Sequence, residues 1–354
     1  MTEERIISYA QAILEGTDQC LQDDSSVFLM GLGVPDPGGI FGTTVGLQEK
    51  YGEDRVMDMP IAENGMTGIA LGAAISGMRP IMTHQRLDFM LLAMDQIVNH
   101  AAKWHYMFDE KIKAPLVIRI IIGRGWGQGP QHSQNLASWF AHIPGLKVVA
   151  PFTPYDAKGM LISAVRDDNP VVILEHRWNY NIKSHVPEEM YAVPLDKARV
   201  VRKGADVTVV SLSHMTYEAL QAAETLREMG ISAEVVDVRS LRPLDTDTIL
   251  ESVRKTGRLI VADPAWKRCG MAGEIIAVVA EQRLSSLKDA PVRLTYADHP
   301  LPTAPSLAED YFPGARHIVY EACKMLGMEV DASMLKYSGK VPHDVPDMSF
   351  SGPF

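Results

Sequence analysis

Short runs of apolar, β-branched residues alternate along the chain with longer stretches in which apolar residues recur at helical spacing. In the first half, this pattern predicts strands over residues 27–34, 55–63, 79–87, 114–123, 147–151 and 170–176. It predicts helices between them over residues 65–77, 88–107 and 154–167. Such alternation is typical of parallel sheets that helices cover on both faces.

The same alternation resumes after a polar, proline-containing segment. Strands are predicted over residues 205–213, 232–240, 258–264 and 292–297, with helices over 216–229, 245–255 and 270–283. The pattern therefore predicts an α/β fold with two doubly wound domains. We expect them over residues 1–185 and 204–336, joined by a linker over 186–203 and followed by an irregular tail over 337–354.

The composition excludes several classes of protein. The 354 residues are 46% hydrophobic, which allows a large core, and they carry 34 Lys and Arg against 44 Asp and Glu, a net charge of −10. An acidic chain without a basic cluster argues against binding to nucleic acid or to an anionic membrane. No apolar run approaches the ~18 residues of a membrane span, and the first residues lack a signal-peptide layout, so we expect a cytoplasmic protein.

Parallel sheets bind ligands beyond the carboxyl ends of their strands. In this sequence, few polar residues that could do chemistry are predicted to lie there. Glu63 follows a predicted strand, but an acid there also favours the start of the next helix. His132 follows a glycine-rich loop, which by itself is more typical of an ordinary mobile segment with the histidine exposed. Phe89 is most simply explained as a core aromatic. The three scattered cysteines, Cys20, Cys269 and Cys323, indicate neither a disulfide framework nor a zinc site.

Several sequence blocks resemble the β subunits of thiamine-diphosphate-dependent 2-oxo acid dehydrogenases of the pyruvate, branched-chain and acetoin types. The similar blocks are DMPIAENGMTGIALGAAISGMRPI, DQIVNHAAKWHYM, QHSQNLASWFAHIPGLKVVAP, DAKGMLISAVRDDNPVVILEH and VRSLRPLDTDTILESVRKTGRLIV. They occur in the family's order over about residues 5–328. The resemblance implies a pyrimidine-binding domain first and a transketolase C-terminal-type domain second.

The resemblance also implies roles for individual residues. Glu63 matches the acid that binds N1′ of the cofactor's aminopyrimidine and shares a proton with it, a task that a buried carboxyl group suits. Phe89 matches the aromatic residue that packs on that ring. His132 matches a histidine near the substrate or the acyl acceptor, with Gln131 and Ser133 as further candidates for the site.

The family places the magnesium and diphosphate motif, GDG followed by an asparagine, in a separate α subunit, and this chain has no such motif. The resemblance therefore implies half of an active site, an α₂β₂ heterotetramer and a lipoyl-bearing acyltransferase as a further partner. The block AVRDDNP resembles a potassium loop that uses Ala164, Val165, Asp167 and Asn169. A plain helix end before Pro170 explains the same residues equally well.

Two departures from the family pattern bear on the substrate. Gly31, Leu32 and Gly33 stand where many members have Gly-Glu-Glu, and a segment from His84 to Phe89 replaces Phe-Met-Thr-Phe-Asn-Phe. His84 and Arg86 are candidates for holding an anionic or hydroxylated substrate, although Arg86 is also placed to pair with Asp88. Besides the dehydrogenase, the sequence is compatible with a split transketolase-like or acyloin-forming enzyme, and with a non-catalytic scaffold subunit.

Overall fold

The computed structural model describes residues 5–124, 127–308, 311–331 and 333. The chain forms two compact units, which are described separately. The first unit extends to Ile122 and continues over Trp139–Leu195, and the second holds Gly123–Ser138 and the chain from Asp196 onward. The tail predicted over residues 337–354 lies outside the described residues.

The elements of the first half follow the predicted alternation. The strands are β1 (Ile6–Ser8), β2 (Val27–Gly31), β3 (Val56–Met57), β4 (Arg79–His84), β5 (Val117–Ile122), β6 (Lys147–Val149), β7 (Val171–His176) and β8 (Lys183–His185). The helices are α1 (Tyr9–Asp23), α2 (Leu47–Tyr51), α3 (Glu63–Ile75), α4 (Leu87–Met90), α5 (Ala102–Met107), α6 (Ala137–His142) and α7 (Pro154–Arg166). Short 3₁₀ turns lie at Leu91–Ala93 and Arg177–Asn179, and a π-helical segment lies at Gln96–Ala101.

The main sheet of the first unit is parallel. Its strands from this unit are ordered β6-β7-β5-β4-β2-β3, and every neighbouring pair is parallel. Strands β5 and β7 are buried along their whole length, as their continuous apolar runs predict for a sheet covered on both faces. Helices α1 and α7 pack against each other over this sheet and complete its core. Strands β1 and β8 form a separate antiparallel ribbon.

The second unit repeats this plan on a smaller scale. Its strands are β9 (Arg199–Arg202), β10 (Val207–Ser211), β11 (Ala233–Asp237), β12 (Ser240–Arg242), β13 (Leu259–Trp266) and β14 (Val292–Tyr296). Its helices are α8 (Met215–Glu228), α9 (Thr246–Thr256), α10 (Met271–Arg283), α11 (Pro305–Ala308) and α12 (Ala315–Met325), with a 3₁₀ turn at Leu284–Ser286. The sheet order is β14-β13-β10-β11-β9, parallel except where β9 pairs with β11. Two doubly wound α/β units are thus confirmed.

Some predicted boundaries were wrong. The strand predicted over 55–63 is reduced to β3, and the following helix begins at Glu63 rather than at residue 65. The single helix predicted over 88–107 is divided into α4, a 3₁₀ turn, a π segment and α5. Part of the predicted linker over 186–203 is packed structure, because Val193 and Leu195 are buried and β9 joins the second sheet. The domain boundaries themselves stay a prediction. In the part of the chain that is described, no helix is long and apolar enough to cross a membrane.

A buried ion pair lies inside the first sheet. Arg119 of β5 is fully buried and donates two hydrogen bonds to the Glu175 carboxylate of β7, at 2.6 and 3.0 Å. The same guanidinium donates to the Thr43 hydroxyl at 2.9 Å, and the Tyr180 hydroxyl donates to Glu175 at 2.8 Å. Because each charge is desolvated, the pair stabilises the fold only while both partners and their hydrogen bonds are present.

We expect Glu175→Gln to lower the free energy of unfolding by about 3–5 kcal/mol, because Arg119 would keep its charge in a buried site without a carboxylate. Urea denaturation followed by circular dichroism measures this change. Glu224→Gln is the matched control, since it breaks a carboxylate–arginine pair with Arg227 on the exposed surface and should leave the unfolding midpoint unchanged. Equal midpoints for both variants would contradict a structural role for the buried pair.

Candidate active site

Polar side chains gather at the carboxyl edge of the parallel sheet in the first unit. Glu63 follows β3, Arg86 follows β4, and Arg177 follows β7, while His84 is the last residue of β4. Parallel strands place their carboxyl ends at one edge of the sheet, which is where open α/β sheets bind ligands. The predicted residues Glu63, His84 and Arg86 therefore share one edge.

Glu63 is a buried carboxyl group at the start of α3. Its side chain is 7% exposed, and it makes no hydrogen bond or ion pair with any other residue in the described part of the chain. A carboxyl group that only capped the helix would accept hydrogen bonds from the first backbone N–H groups, and Glu63 accepts none. The Glu63 oxygens are not among the fully buried, unpartnered side-chain atoms of the described residues, so the carboxyl group can be reached by a ligand.

Phe89 lies on α4 and is 38% exposed, so its interpretation as a core aromatic was wrong. Helix α3 packs against the Leu91–Ala93 turn that follows α4, which keeps the segment after Phe89 beside the helix that Glu63 begins. An exposed aromatic ring leaves apolar surface in contact with water, which is unfavourable unless a ligand or a partner covers the ring. Phe89 and Glu63 thus provide a stacking surface and a carboxyl group on neighbouring elements.

His84 and Arg86 lie at the end of β4 in different environments. His84 is 3% exposed, its Nε2 has no hydrogen-bond partner among the described residues, and burial lowers its pKa to about 4. It is therefore neutral at physiological pH. Arg86 donates a hydrogen bond to the Gln85 carbonyl at 3.0 Å, and burial lowers its pKa while Tyr180 and Asp88 raise it. The Asp88 carboxylate therefore favours the charged form of Arg86, and the substrate role of Arg86 stays a prediction.

The loop that carries His132 belongs to the second unit, together with Gln131 and Ser133. Gln131 is exposed, His132 is half-buried and Ser133 is buried. The loop is anchored at both ends within this unit, because the Arg124 guanidinium lies 4.0 Å from the Phe312 ring centroid and Asn135 donates to the Pro264 carbonyl at 2.9 Å. The segment is therefore packed at its ends, and its role in a site stays a prediction.

The turn over residues 164–169 lies at the amino end of β7, at the opposite edge from Glu63. The carbonyl oxygens of Val165 and Asp167 accept hydrogen bonds from Arg79 at 2.9 and 3.0 Å. The Asp167 carboxylate pairs with Lys147 and accepts from the Asn169 backbone N–H at 2.9 Å. Oxygen atoms of Val165 and Asp167 thus contact cationic side chains, whereas the Ala164 carbonyl accepts from the Asp167 backbone N–H. The potassium site stays a prediction.

No set of three or more His, Cys, Asp or Glu side chains in the described ranges is arranged to hold a metal ion. Glu63 and Phe89, in contrast, fit the aminopyrimidine end of thiamine diphosphate. One is a carboxyl group that is 7% exposed and has no partner among the residues that the structure describes, and the other is an exposed ring. These are the two properties that binding a flat, hydrogen-bonding ring requires.

Comparisons with known proteins cover both units of the chain. Residues 5–183 match the model of the transketolase pyrimidine-binding domain, and residues 196–318 match that of the transketolase C-terminal domain. The acetoin:2,6-dichlorophenolindophenol oxidoreductase subunit beta of Cupriavidus necator is 46% identical over 333 residues, which cover 91% of this chain and 98% of the relative. The chain belongs to the family of thiamine-diphosphate-dependent 2-oxo acid dehydrogenase β subunits.

Other members of this β-subunit family are similarly close over their whole length. The bovine pyruvate dehydrogenase E1 component subunit beta is 39% identical over 327 residues, which cover 91% of each chain. A solved structure described as a split-gene transketolase, an inactive β4 tetramer, has a TM-score of 0.74 and covers 92% of this chain and 99% of its own. At 23% identity that likeness shows the shared fold alone.

Arg177 and Phe41 are site-edge residues that the sequence analysis missed. No sequence prediction named Arg177, although its position directly after β7 is the signal that places it at the carboxyl edge. Phe41 lies in the loop between β2 and α2, and nothing in its local sequence indicates that it packs 5.4 Å from the ring of Tyr180.

The buried His84 predicts that the protein loses stability in mild acid. The unfolded histidine binds a proton below about pH 6.5, whereas the native one, with a pKa of about 4, stays neutral until lower pH. Its contribution is therefore complete above pH 6.5 and is lost as the pH falls toward 4, by about 2 kcal/mol at pH 5. Urea unfolding of wild type and His84→Gln at pH 7.5 and pH 5 measures it.

The His84→Gln variant should lose less stability than the wild type between these two pH values. His142→Gln is the control, since His142 is exposed at the end of α6 and its replacement should leave the wild-type pH dependence intact. An unchanged pH dependence in His84→Gln would contradict a neutral, buried His84.

Proposed function

We propose that this chain, together with an α subunit, decarboxylates a 2-oxo acid with thiamine diphosphate and transfers the acyl group to lipoamide. The observation that carries the proposal is Glu63, a carboxyl group 7% exposed and without a protein partner among the described residues, at the start of α3. The relatives named acetoin and pyruvate dehydrogenase β subunits support the same reaction class.

Each residue of the proposed site has a defined task. Glu63 shares a proton with a ring nitrogen of the aminopyrimidine, and burial keeps water from competing for that hydrogen bond. Phe89 packs on the ring and fixes its orientation. Gln131, His132 and Ser133 contact the substrate or the acyl acceptor. Bound thiamine diphosphate supplies the nucleophilic carbon and the electron sink that the loss of CO₂ requires.

The proposed partner is an α subunit that carries a GDG motif and holds Mg²⁺ and the diphosphate, in an α₂β₂ heterotetramer. Support comes from an apolar surface around the site, where Ile61, Ile69 and Leu92 are 78%, 60% and 66% exposed. Monomeric proteins rarely expose such side chains together, so they suit an interface. A lipoyl-bearing acyltransferase would be the further partner. A potassium ion at the 164–169 turn would use oxygen atoms of Ala164, Val165, Asp167 and Asn169, and we assign no step to that ion.

A second candidate function is a split transketolase-like or acyloin-forming reaction, in which a two-carbon unit passes to an aldehyde. The observation that favours it is the change at the carboxyl ends of β2 and β4, where Leu32 and Gly33 bring no acid and His84 and Arg86 bring polar groups. Formation of a carbon–carbon bond with an added aldehyde, without lipoamide, would select this reaction. If the chain is a scaffold subunit, replacing Glu63 should leave the activity unchanged.

We expect Glu63→Gln to reduce turnover by at least about 100-fold in the reconstituted αβ enzyme, because the amide cannot share a proton with the cofactor ring. Reduction of 2,6-dichlorophenolindophenol with a panel of 2-oxo acids measures turnover, with Mg²⁺ and thiamine diphosphate omitted in turn.

Glu49→Gln is the matched control for this variant. Glu49 is an exposed acid in the first turn of α2, so its loss changes the charge at a helix start without touching the site. Turnover of this control should equal that of the wild type. Full activity of Glu63→Gln would favour the scaffold subunit, and the absence of decarboxylation with every 2-oxo acid in the wild type would reject the dehydrogenase.

Native mass spectrometry of the chain purified from its source tests the assembly. We expect a complex of two copies of this chain with two copies of a GDG-containing chain, which gains two cofactor masses when Mg²⁺ and thiamine diphosphate are added. The shared site explains this stoichiometry, since each β subunit supplies only the pyrimidine end. A homodimer that takes up no cofactor would argue against the α₂β₂ enzyme.

A further inference from the structure

The loop between β5 and α6 closes on itself within the second unit. The Gly123 backbone N–H donates a hydrogen bond to the Gln134 carbonyl at 3.4 Å, so the two ends of the loop meet. Loops with this closure are compact and frequently functional. We call residues 127–134 the His132 loop. It carries the three residues that the proposed function assigns to the substrate or the acyl acceptor, Gln131, His132 and Ser133.

Asn135 lies directly after the closure of the loop and is fixed by two hydrogen bonds. Its side-chain amide donates to the Pro264 carbonyl at 2.9 Å, and its side-chain oxygen accepts from the Ala137 backbone N–H at 3.1 Å, where α6 begins. Asn135 is 4% exposed, so water competes little for either bond. An amide that is engaged at both ends fixes the course of the backbone where the His132 loop ends.

The stretch of β13 that accepts this hydrogen bond is itself held in place. Strand β13 pairs with β14 at Ala262 and again at Trp266, and the regular pairing is interrupted between these residues. Asp263, 1% exposed, accepts a hydrogen bond from the Ala272 backbone N–H at 3.1 Å, which ties this stretch to α10. The interruption suits the Pro264 carbonyl to a side-chain donor. The amide contact therefore joins the loop to a well-fixed part of the second sheet.

A second close approach holds the loop at Gly129. The residue has a φ of +71°, which favours glycine, and a Cβ atom added there would lie 2.6 Å from the hydroxyl oxygen of Thr303, in the segment after β14. The Gly129 carbonyl accepts a hydrogen bond from the His132 backbone N–H at 3.5 Å, so a single turn separates His132 from this contact. The position of His132 is thus fixed from both Gly129 and Asn135.

We propose that Asn135 is a positioning residue, whose hydrogen bond to the Pro264 carbonyl holds the His132 loop where His132 meets the substrate or the acyl acceptor. This inference rests on the proposed function, because it takes His132 to act there. Asn135 works through His132 and takes no part of its own in the reaction. A displacement of about 1 Å in a reacting arrangement costs roughly 100-fold in rate, so one hydrogen bond at the end of the loop controls turnover.

Two variants separate the hydrogen bond to Pro264 from the cap on α6. Asn135→Ala removes both, whereas Asn135→Ser keeps a good capping oxygen for the helix and lacks the amide group. Both should lower kcat of the reconstituted αβ enzyme by about 10-fold or more. Thr153→Ala is the matched control, since it removes the cap that accepts from the Asp156 backbone N–H at 3.0 Å on α7, and it should keep wild-type turnover.

A double-mutant cycle with His132→Gln shows whether Asn135 acts through His132. Asn135→Ala should lower kcat by at least about 10-fold when His132 is present and by less than about twofold when it is replaced, because residues that act as a unit are not additive. Release of labelled CO₂ over long incubations measures the residual turnover of the weakest variants. An equal loss in both backgrounds, or no loss in the presence of His132, would overturn the inference.

Hydrogen exchange followed by mass spectrometry separates this inference from the proposed function. In the assembled protein, the backbone amides of residues 127–134 should exchange at least about 10-fold faster in Asn135→Ala and Asn135→Ser than in the wild type or in Thr153→Ala. Thermal melting identifies a variant that fails to fold. If the wild type turns over no substrate while these amides respond, the proposed function fails and the anchoring of the loop is supported. Unchanged exchange in both Asn135 variants would overturn the inference whatever the activity.

Discussion

The first unit is organised around the buried ion pair of Arg119 and Glu175. Both residues point from adjacent central strands, β5 and β7, into a region where a lone charge would be strongly unfavourable. Satisfying the pair requires the hydroxyls of Thr43 and Tyr180, and these hydroxyls belong to segments outside the sheet. The pair therefore fixes the β2–α2 loop and the turn after β7 over the carboxyl edge. Phe41, two residues before Thr43, and Arg177, three before Tyr180, lie on those same segments.

The sequence predicted the fold class, because that class depends on local patterns, and it led to the prediction of a site at the carboxyl edge of the first sheet. Alternating apolar runs indicated parallel strands, and the order of the family blocks indicated both domains. Glu63 was found because an acid directly after a strand is a visible signal. Its lack of a protein partner was not visible, since burial and hydrogen bonding depend on residues far away in the chain. The exposure of Phe89 was missed for the same reason, as helical spacing alone does not tell which face is covered.

The errors have a common physical origin. The helix predicted over 88–107 has continuous helical periodicity, yet tertiary packing breaks it with a 3₁₀ turn and a π segment. Arg177, directly after β7, is 1% exposed although it is charged, and Val186, Val193 and Leu195 are buried within the segment predicted as a linker. Polarity predicts exposure only when no buried partner is available, and Tyr180 has such a partner in Glu175. A local sequence pattern does not predict electrostatic pairing between residues that are far apart in the chain.

Charge at the carboxyl edge is the property in which this chain departs most from the family pattern that it otherwise follows. Glu63 is retained, so the acid that the cofactor ring requires is present. The acids that many relatives carry after β2 are replaced by Leu32 and Gly33, and Arg86 stands at the end of β4. The sequence thus keeps an acid at position 63 while it carries fewer acids after β2 and an arginine after β4. Because specificity is a difference in binding between substrates, a positive edge discriminates through the charge of the substrate rather than through its size.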